Sequence, residues 1–343
     1  MVNKNIIYSD DYKFLWDKDV LNKNILFLCL GGSHSYGTNI ETSDIDIRGV
    51  TREDINSLLG IRYLNYENND FEVFVNEKTD TTVYALRKLV SLMLSCNPNT
   101  IEMLGCKPEH YLYQTNLGQM LIDNYSLFLS RKAIYSFGGY ATAQLRRLTN
   151  ALARDAYSQS DKEEHILGTC RNVLADFEFK NIDLPKESVQ LKLLDNDMGE
   201  KEICVDVNLN DFPLRKWQAC LNELHNVTKD YDKLTKRNKK KDELHLNKHA
   251  MHLIRLYLTG IDIMEQGKII TYREKDLPLL MSIRNGEYMR EDGTYRHEFF
   301  EILDTYEKRM KYAAENSCLP DKPNFKAVNE LLINMSTTEI KVV

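Results

Sequence analysis

Residues 31–50 read GGSHSYGTNIETSDIDIRGV, which is the most informative segment of the sequence. It follows a continuous apolar run, ILFLCL at residues 25–30, whose β-forming composition predicts a strand buried on both faces. Two glycines end that strand and predict a tight turn. In the DIDIR segment, residues 44–48, acidic and apolar side chains alternate, so a second strand places both carboxylates on one face. The stretch therefore predicts a strand, a glycine-serine turn and a second strand that presents Asp44 and Asp46 together.

The paired aspartates predict a metal site. Carboxylates held close together repel each other, and a divalent cation relieves that repulsion. Mg²⁺ suits such a site best, with Mn²⁺ as the alternative, because Mg²⁺ prefers oxygen ligands and binds few protein carboxylates beside water and phosphate oxygens. Gly32, Ser33 and Gly37 complement the metal site, since glycines let the backbone approach a phosphate and the serine adds a hydroxyl donor. The stretch thus predicts metal-assisted chemistry on a phosphate.

In this order, the turn and the aspartates resemble the signature of the polymerase-beta-type nucleotidyltransferases, which is a Gly-Ser turn, a downstream glycine and Asp-x-Asp on the next strand. The resemblance implies a third carboxylate on a neighbouring strand and two magnesium ions held among the three acidic residues. It also implies transfer of a nucleoside monophosphate from a nucleoside triphosphate, such as ATP, to a hydroxyl, with release of pyrophosphate. Asp80 is the best candidate for the third ligand, because it opens a β-prone stretch that leads into an amphipathic helical pattern. Glu72, in the strand-like segment before it, is the runner-up.

Motifs farther along the chain narrow the resemblance. NPNTIEML at residues 97–104, GYATAQLRR at 139–147 and KHAMHLIR at 248–255 are similar to a bacterial and phage branch of the superfamily that includes proteins associated with RNA ligases and RNA repair. This branch implies an RNA acceptor, such as the 3′ end of a damaged tRNA. A protein-modifying AMP transferase, like the antitoxins of the family, is the enzymatic alternative. A catalytically silent nucleotide-binding or nucleic-acid-binding protein is the alternative from another class.

Three basic residues of the last motif are candidates for binding the nucleotide or the acceptor. Lys248, His252 and Arg255 fall at positions i, i+4 and i+7 and therefore share one helical face. A cationic stripe of this kind can bind the triphosphate or the acceptor backbone. A solvated helix face is the alternative interpretation, and only the family resemblance raises the functional one to equal weight.

Composition limits the other classes of function. The formal net charge of −6 excludes a uniformly basic nucleic-acid surface, so contact with RNA requires a local patch such as the lysine-rich residues 229–248. No apolar run approaches membrane-spanning length and the N-terminus lacks a signal-peptide pattern, so we expect no membrane association and a cytoplasmic location. The seven cysteines are scattered, without the spacing of metal knuckles. The sequence leaves the oligomeric state open.

The whole pattern predicts an α+β protein. A small mixed β-sheet, a polymerase-beta-like catalytic unit, is expected within residues 1–110. A mainly helical substrate-binding and acceptor-binding region is expected over residues 111–343. Within it, residues 187–207 switch to β character around an acidic turn and predict an inserted hairpin.

Overall fold

The structure is a computed structural model of the chain. It describes residues 2–18, 21, 24–53, 72–156, 159–181, 184–185, 187–196, 199, 201–236, 243–291 and 293–338.

A mixed five-stranded sheet lies at the centre of the N-terminal part, in the order β3-β4-β2-β1-β5. Its strands are β1 Ile25–Leu30, β2 Ile47–Thr51, β3 Val73–Asn76, β4 Thr81–Ala85 and β5 Tyr111–Gln114. Strand β2 runs antiparallel to β1 and parallel to β4, while β3 pairs antiparallel with β4 and β5 with β1. Every residue of β1 is buried, as its apolar run predicts.

Helices account for most of the remaining secondary structure. In the described ranges the α-helices are α1 Phe14–Asp17, α2 Gly32–Tyr36, α3 Leu86–Met93, α4 Pro98–Ile101, α5 Asn116–Asp123, α6 Ala133–Ala156, α7 Gln159–Lys180, α8 Leu214–Lys236, α9 Glu243–Gln266, α10 Leu277–Arg284, α11 His297–Glu315 and α12 Phe325–Thr337. Short 3₁₀ helices occupy Lys4–Tyr8, Asp10–Tyr12, Glu102–Gly105, Pro108–His110 and Tyr125–Phe128. None of the helices in the described part is both long enough and apolar enough to cross a lipid bilayer.

An apolar cluster fixes the strands that carry the glycine-serine turn and the aspartates. Leu28 and Leu30 of β1 and Ile47 of β2 pack in it with Ile7 and Leu15 from the N-terminal segment, and all are at most 4% exposed. Burial of side chains of this size contributes about 1.5–3 kcal/mol each. The cluster thus anchors both strand ends that flank the turn.

The chain forms two compact units. One contains Met1–Gln144, Ala250–Met289 and Tyr295–Val343, and the other contains Leu145–His249 and Arg290–Thr294. The predicted division into a catalytic segment 1–110 and a mainly helical substrate-binding segment 111–343 stays a prediction.

The predicted hairpin lies in the second unit. Its strands are β6 Val189–Asp195 and β7 Lys201–Val207, which pair antiparallel. Val189 packs there with Leu174 and Trp217. The prediction of an α+β fold, with a small mixed sheet followed by a mainly helical region, is confirmed.

Candidate active site

The glycine-serine turn and Asp46 are in direct contact. Gly31 donates its backbone N–H to the carbonyl of Asp46 at 2.8 Å. Gly32 has a φ of +53°, and a Cβ built on it would lie 1.8 Å from Oδ2 of Asp46. Only glycine fits this position, because it tolerates a positive φ and leaves room for the carboxylate. The turn and the carboxylate therefore share one site.

Helix α2 follows at once and carries Ser33 into this site. Its first intrahelical hydrogen bond runs from the Ser35 N–H to the Gly31 carbonyl at 3.3 Å. Backbone N–H groups before that point have no partner within the helix, as at every helix start. Gly37 ends the helix with a φ of +80°, and its N–H donates to the Ser33 carbonyl.

Residues from the C-terminal half of the chain close the far side of the turn. A Cβ on Gly37 would lie 2.6 Å from the ring of Tyr272, so the ring rests on the glycine. The neighbouring Arg273 donates its N–H to the carbonyl of Tyr36 at 3.2 Å. The Arg273 side chain is buried and paired with Asp262 and Asp276. The loop that supports the turn is therefore itself fixed by ion pairs.

The aspartates lie immediately before β2, not within it. The strand expected over residues 44–48 begins later in the structure, at Ile47, and continues to Thr51. The Asp46 carbonyl is instead bonded to the turn through the Gly31 N–H. Burial still alternates as predicted: Ile45 and Ile47 pack in the core, whereas Asp44 is exposed and Asp46 is half-buried.

Asp80 immediately precedes the neighbouring strand β4, at the same end of the sheet as Asp46. Strands β2 and β4 are parallel, and Ile47 pairs with Thr81. Asp46 and Asp80 each immediately precede one of these paired residues, and the Ile47 N–H donates to the Asp80 carbonyl at 3.2 Å. The exposed Asp80 has a φ of +48°, a conformation that aspartate tolerates better than most residues.

Arg48 links the two strand ends. Its Nη2 lies 3.1 Å from Oδ1 of Asp46, and its Nη1 donates to the Asp80 carbonyl at 2.7 Å. The guanidinium thereby neutralises one carboxylate and holds the second backbone segment beside it. The sequence reasoning missed this positioning role, although a basic residue two places after Asp46 was a visible signal.

The runner-up ligand, Glu72, lies at the opposite end of β4. Strand β3 is antiparallel to β4, with Val73 opposite Tyr84, and the Glu72 carbonyl accepts from the Ala85 N–H at 2.9 Å. The two ends of a five-residue strand are roughly 13 Å apart. The Glu72 carboxylate is paired with Lys88 at 2.5 Å. This geometry favours Asp80 over Glu72 as the third ligand.

A buried ion pair fixes the C-terminal end of helix α2. The Arg255 guanidinium pairs with the Glu102 carboxylate and lies 3.7 Å from the centre of the Tyr36 ring. The Tyr36 hydroxyl donates to Oε2 of Glu102 at 2.9 Å. Burial raises the pKa of Tyr36. Burial alone would lower the pKa of Arg255, but the Glu102 carboxylate raises the Arg255 pKa above its usual value.

The three basic residues of the predicted cationic stripe have different environments. Arg255 is buried with Glu102. The half-buried His252 ring meets the Tyr36 ring edge-on at 6.2 Å between centroids. Lys248 is exposed. Their roles in nucleotide binding stay predictions. Of the predicted basic patch, residues 237–242 lie outside the described part.

The donor chemistry fits magnesium. A half-buried carboxylate, Asp46, lies against the turn, and two exposed carboxylates, Asp44 and Asp80, lie on adjoining backbone. Among the described residues, no three acidic, histidine or cysteine side chains are grouped closely enough to hold a metal ion. A metal site at these residues stays a prediction.

The fold is consistent with that of the polymerase-beta-like proteins, since it has a mixed sheet with a glycine-serine turn after the first strand. Residues 12–174, just under half of the chain, match the model of the family described as "RNA repair pathway DNA polymerase beta family" (RlaP), and this match supports a polymerase-beta-type nucleotidyltransferase family. Neither the curated proteins nor the solved structures gave a match. The resemblance read from the sequence is therefore confirmed. The match includes the turn, the aspartates and Glu102, but ends before Arg255 and the Tyr272 loop.

Proposed function

We propose that this protein is a metal-dependent nucleotidyltransferase that moves a nucleoside monophosphate from a nucleoside triphosphate to a hydroxyl at the 3′ end of an RNA and releases pyrophosphate. One observation carries the proposal: the Asp46 carboxylate lies against Gly32, so that a candidate metal ligand and a candidate phosphate-binding turn meet in one site. The family match supports both the reaction class and a connection with RNA repair.

Asp44, Asp46 and Asp80 are the residues that would hold the magnesium ions. Bound magnesium lowers the pKa of an acceptor hydroxyl and neutralises charge that develops on the transferred phosphate. Arg48 serves as a positioning residue, because it holds the Asp46 carboxylate and the Asp80 backbone at a common edge.

The turn supplies the phosphate contacts in this proposal. Backbone N–H groups at the start of α2 precede the first intrahelical hydrogen bond and are suited to donate to phosphate oxygens. Gly32 lets the backbone come close to the Asp46 carboxylate, Gly37 ends the short helix beneath the Tyr272 ring, and the Ser33 hydroxyl is the nearest side-chain donor in sequence. The turn therefore orients the triphosphate beside the aspartates.

The test is transfer of label from an α-labelled nucleoside triphosphate, each of the four in turn, to a pool of cellular RNA and protein in the presence of magnesium. We expect Asp46→Asn to lower the rate by about 10²–10³-fold, as when one preorganised electrostatic contact is lost. Asp123→Asn, which changes an exposed aspartate at the end of α5, is the matched control and keeps the wild-type rate. Unchanged transfer by Asp46→Asn would contradict the proposed site. Label on protein instead of RNA would favour the AMP-transferring alternative, and bound triphosphate without transfer would favour a silent binding protein.

A further inference from the structure

We propose that Arg284 binds a phosphate group of the nucleoside triphosphate beside the loop that carries the aspartates, an inference that rests on the proposed function. Arg284 is the last residue of helix α10. Its Nη2 lies 3.4 Å from the hydroxyl oxygen of Ser43, which is the residue immediately before Asp44. An arginine from the C-terminal half of the chain thus reaches the candidate metal-binding loop.

The environment of Arg284 lacks a compensating anion. Within the described part of the chain, no acidic side chain pairs with Arg284, and its only hydrogen-bond partner is the Ser43 hydroxyl. Its Nη1 is buried without a partner. Burial lowers the pKa of Arg284, and no neighbouring charge contributes to that shift. Buried charges are normally paired, because removing a charge from water is costly.

Other buried arginines of the same compact unit follow the usual rule. Arg255 is paired with Glu102, and Arg273 is paired with Asp262 and Asp276. Arg284 is only half-buried and differs from both, because no acidic side chain of the described residues pairs with it; its position beside the aspartate loop suits an anionic ligand. A planar guanidinium suits phosphate oxygens, with which it forms paired, charge-assisted hydrogen bonds.

The contacts of Ser43 favour the triphosphate over the acceptor RNA. The Ser43 carbonyl lies 3.5 Å from Nε2 of His34, which follows Ser33 on the phosphate turn. The Ser43 hydroxyl also accepts from the Ile40 N–H at 2.9 Å, which fixes the loop between turn and strand. One residue thus contacts both Arg284 and helix α2. Arg284 is thereby connected through Ser43 to the helix that carries the candidate phosphate-binding turn.

The experiment measures binding without chemistry. Inorganic tripolyphosphate and the four nucleoside triphosphates, each with magnesium, are titrated calorimetrically into the wild type, Arg284→Gln, Arg284→Lys and Arg290→Gln. Arg290 is exposed, so its variant removes the same charge from a solvated position. We expect Arg284→Gln to weaken tripolyphosphate binding by about tenfold or more, the loss of one charge-assisted contact, with Arg284→Lys intermediate and the control unchanged.

The unfolding temperature separates binding from a structural role. A half-buried cation without a counter-ion does not stabilise the fold, so Arg284→Gln should unfold at the wild-type temperature or above it. An unchanged dissociation constant for tripolyphosphate in Arg284→Gln would overturn the inference, and so would a wild type that binds neither tripolyphosphate nor nucleotide. Weaker binding of a short RNA with a free 3′ hydroxyl, with triphosphate affinity unchanged, would also overturn it.

The same variants distinguish this inference from the proposed function. If triphosphate binding depends on Arg284 but no polymer is labelled, nucleotidyl transfer fails and the phosphate site stands. If the wild type labels RNA and Arg284→Gln keeps its Michaelis constant for the triphosphate, nucleotidyl transfer stands and the phosphate site fails.

Discussion

Replacement of Glu102 by alanine tests whether a buried ion pair holds the glycine-serine helix in place. The side chains of Glu102 and Arg255 are only 5% and 6% exposed. Without the carboxylate, the guanidinium would remain buried with the Tyr36 ring beside it and no acidic partner in contact. Breaking a buried pair from one side costs about 3–5 kcal/mol. We expect that loss in the free energy of unfolding, measured by urea titration with circular dichroism.

Two further variants separate the parts of this network. Tyr36→Phe removes one hydrogen bond to a charged acceptor, worth about 1.5–3 kcal/mol, and keeps the ring beside Arg255. A double variant, Glu102→Leu with Arg255→Met, removes both charges and should recover part of the loss, because apolar residues replace buried ion pairs at little cost but the Tyr36 hydroxyl loses its acceptor.

The catalytic assay extends this test. Tyr36 is the last residue of the helix that carries Ser33, so every variant that releases it should raise the Michaelis constant for the triphosphate in the folded protein. A loss below about 1 kcal/mol for Glu102→Ala would refute the reasoning, since a mere surface pair contributes that much. A double variant as unstable as the single one would refute it as well.

Two other pairs of substitutions test the geometry of the site. Gly32→Ala should abolish label transfer, because the new Cβ would displace the Asp46 carboxylate. The control is Gly293→Ala, which is also at a positive φ but has nothing within 4 Å, so it should carry only the backbone strain of roughly 1 kcal/mol and stay active. Equal activity in both variants would argue against a role for the Gly32 contact. Asp80→Ala should lose magnesium-dependent transfer while Glu72→Ala keeps it, because Glu72 lies at the far end of β4. The opposite pattern in the same labelling assay would make Glu72 the third ligand.

Local patterns predicted the parts of this protein that local forces determine. The apolar run of β1, the glycines of the turn and the hairpin at residues 187–207 all lie where their sequence signals predict them. The start of β2 could not be predicted as well. Its first residue depends on the hydrogen bond between Gly31 and Asp46, which forms only when the chain has folded back.

The environment of Arg255 shows the same limit at longer range. Helical spacing places Arg255 on the face of Lys248 and His252, and this spacing alone predicts a cationic stripe. Its partner Glu102 lies 153 positions earlier in the sequence, so no local pattern connects them. The contact of Arg284 with Ser43, 241 positions away, could not be predicted from a local pattern either.

The contacts of the Gly-Ser turn with the Tyr272 loop also order events during synthesis. The sheet strands and the turn leave the ribosome first, but the ring that rests on Gly37 and the Arg273 N–H that binds Tyr36 arrive more than two hundred residues later. At the usual rate of about 5–20 residues per second, this delay is about 10–50 s. For most of its synthesis, the nascent chain therefore carries its aspartates before Tyr272 and Arg273 are present to support the turn. If the turn binds nucleotide as proposed, we expect it to do so only after residues 272–284 have been made.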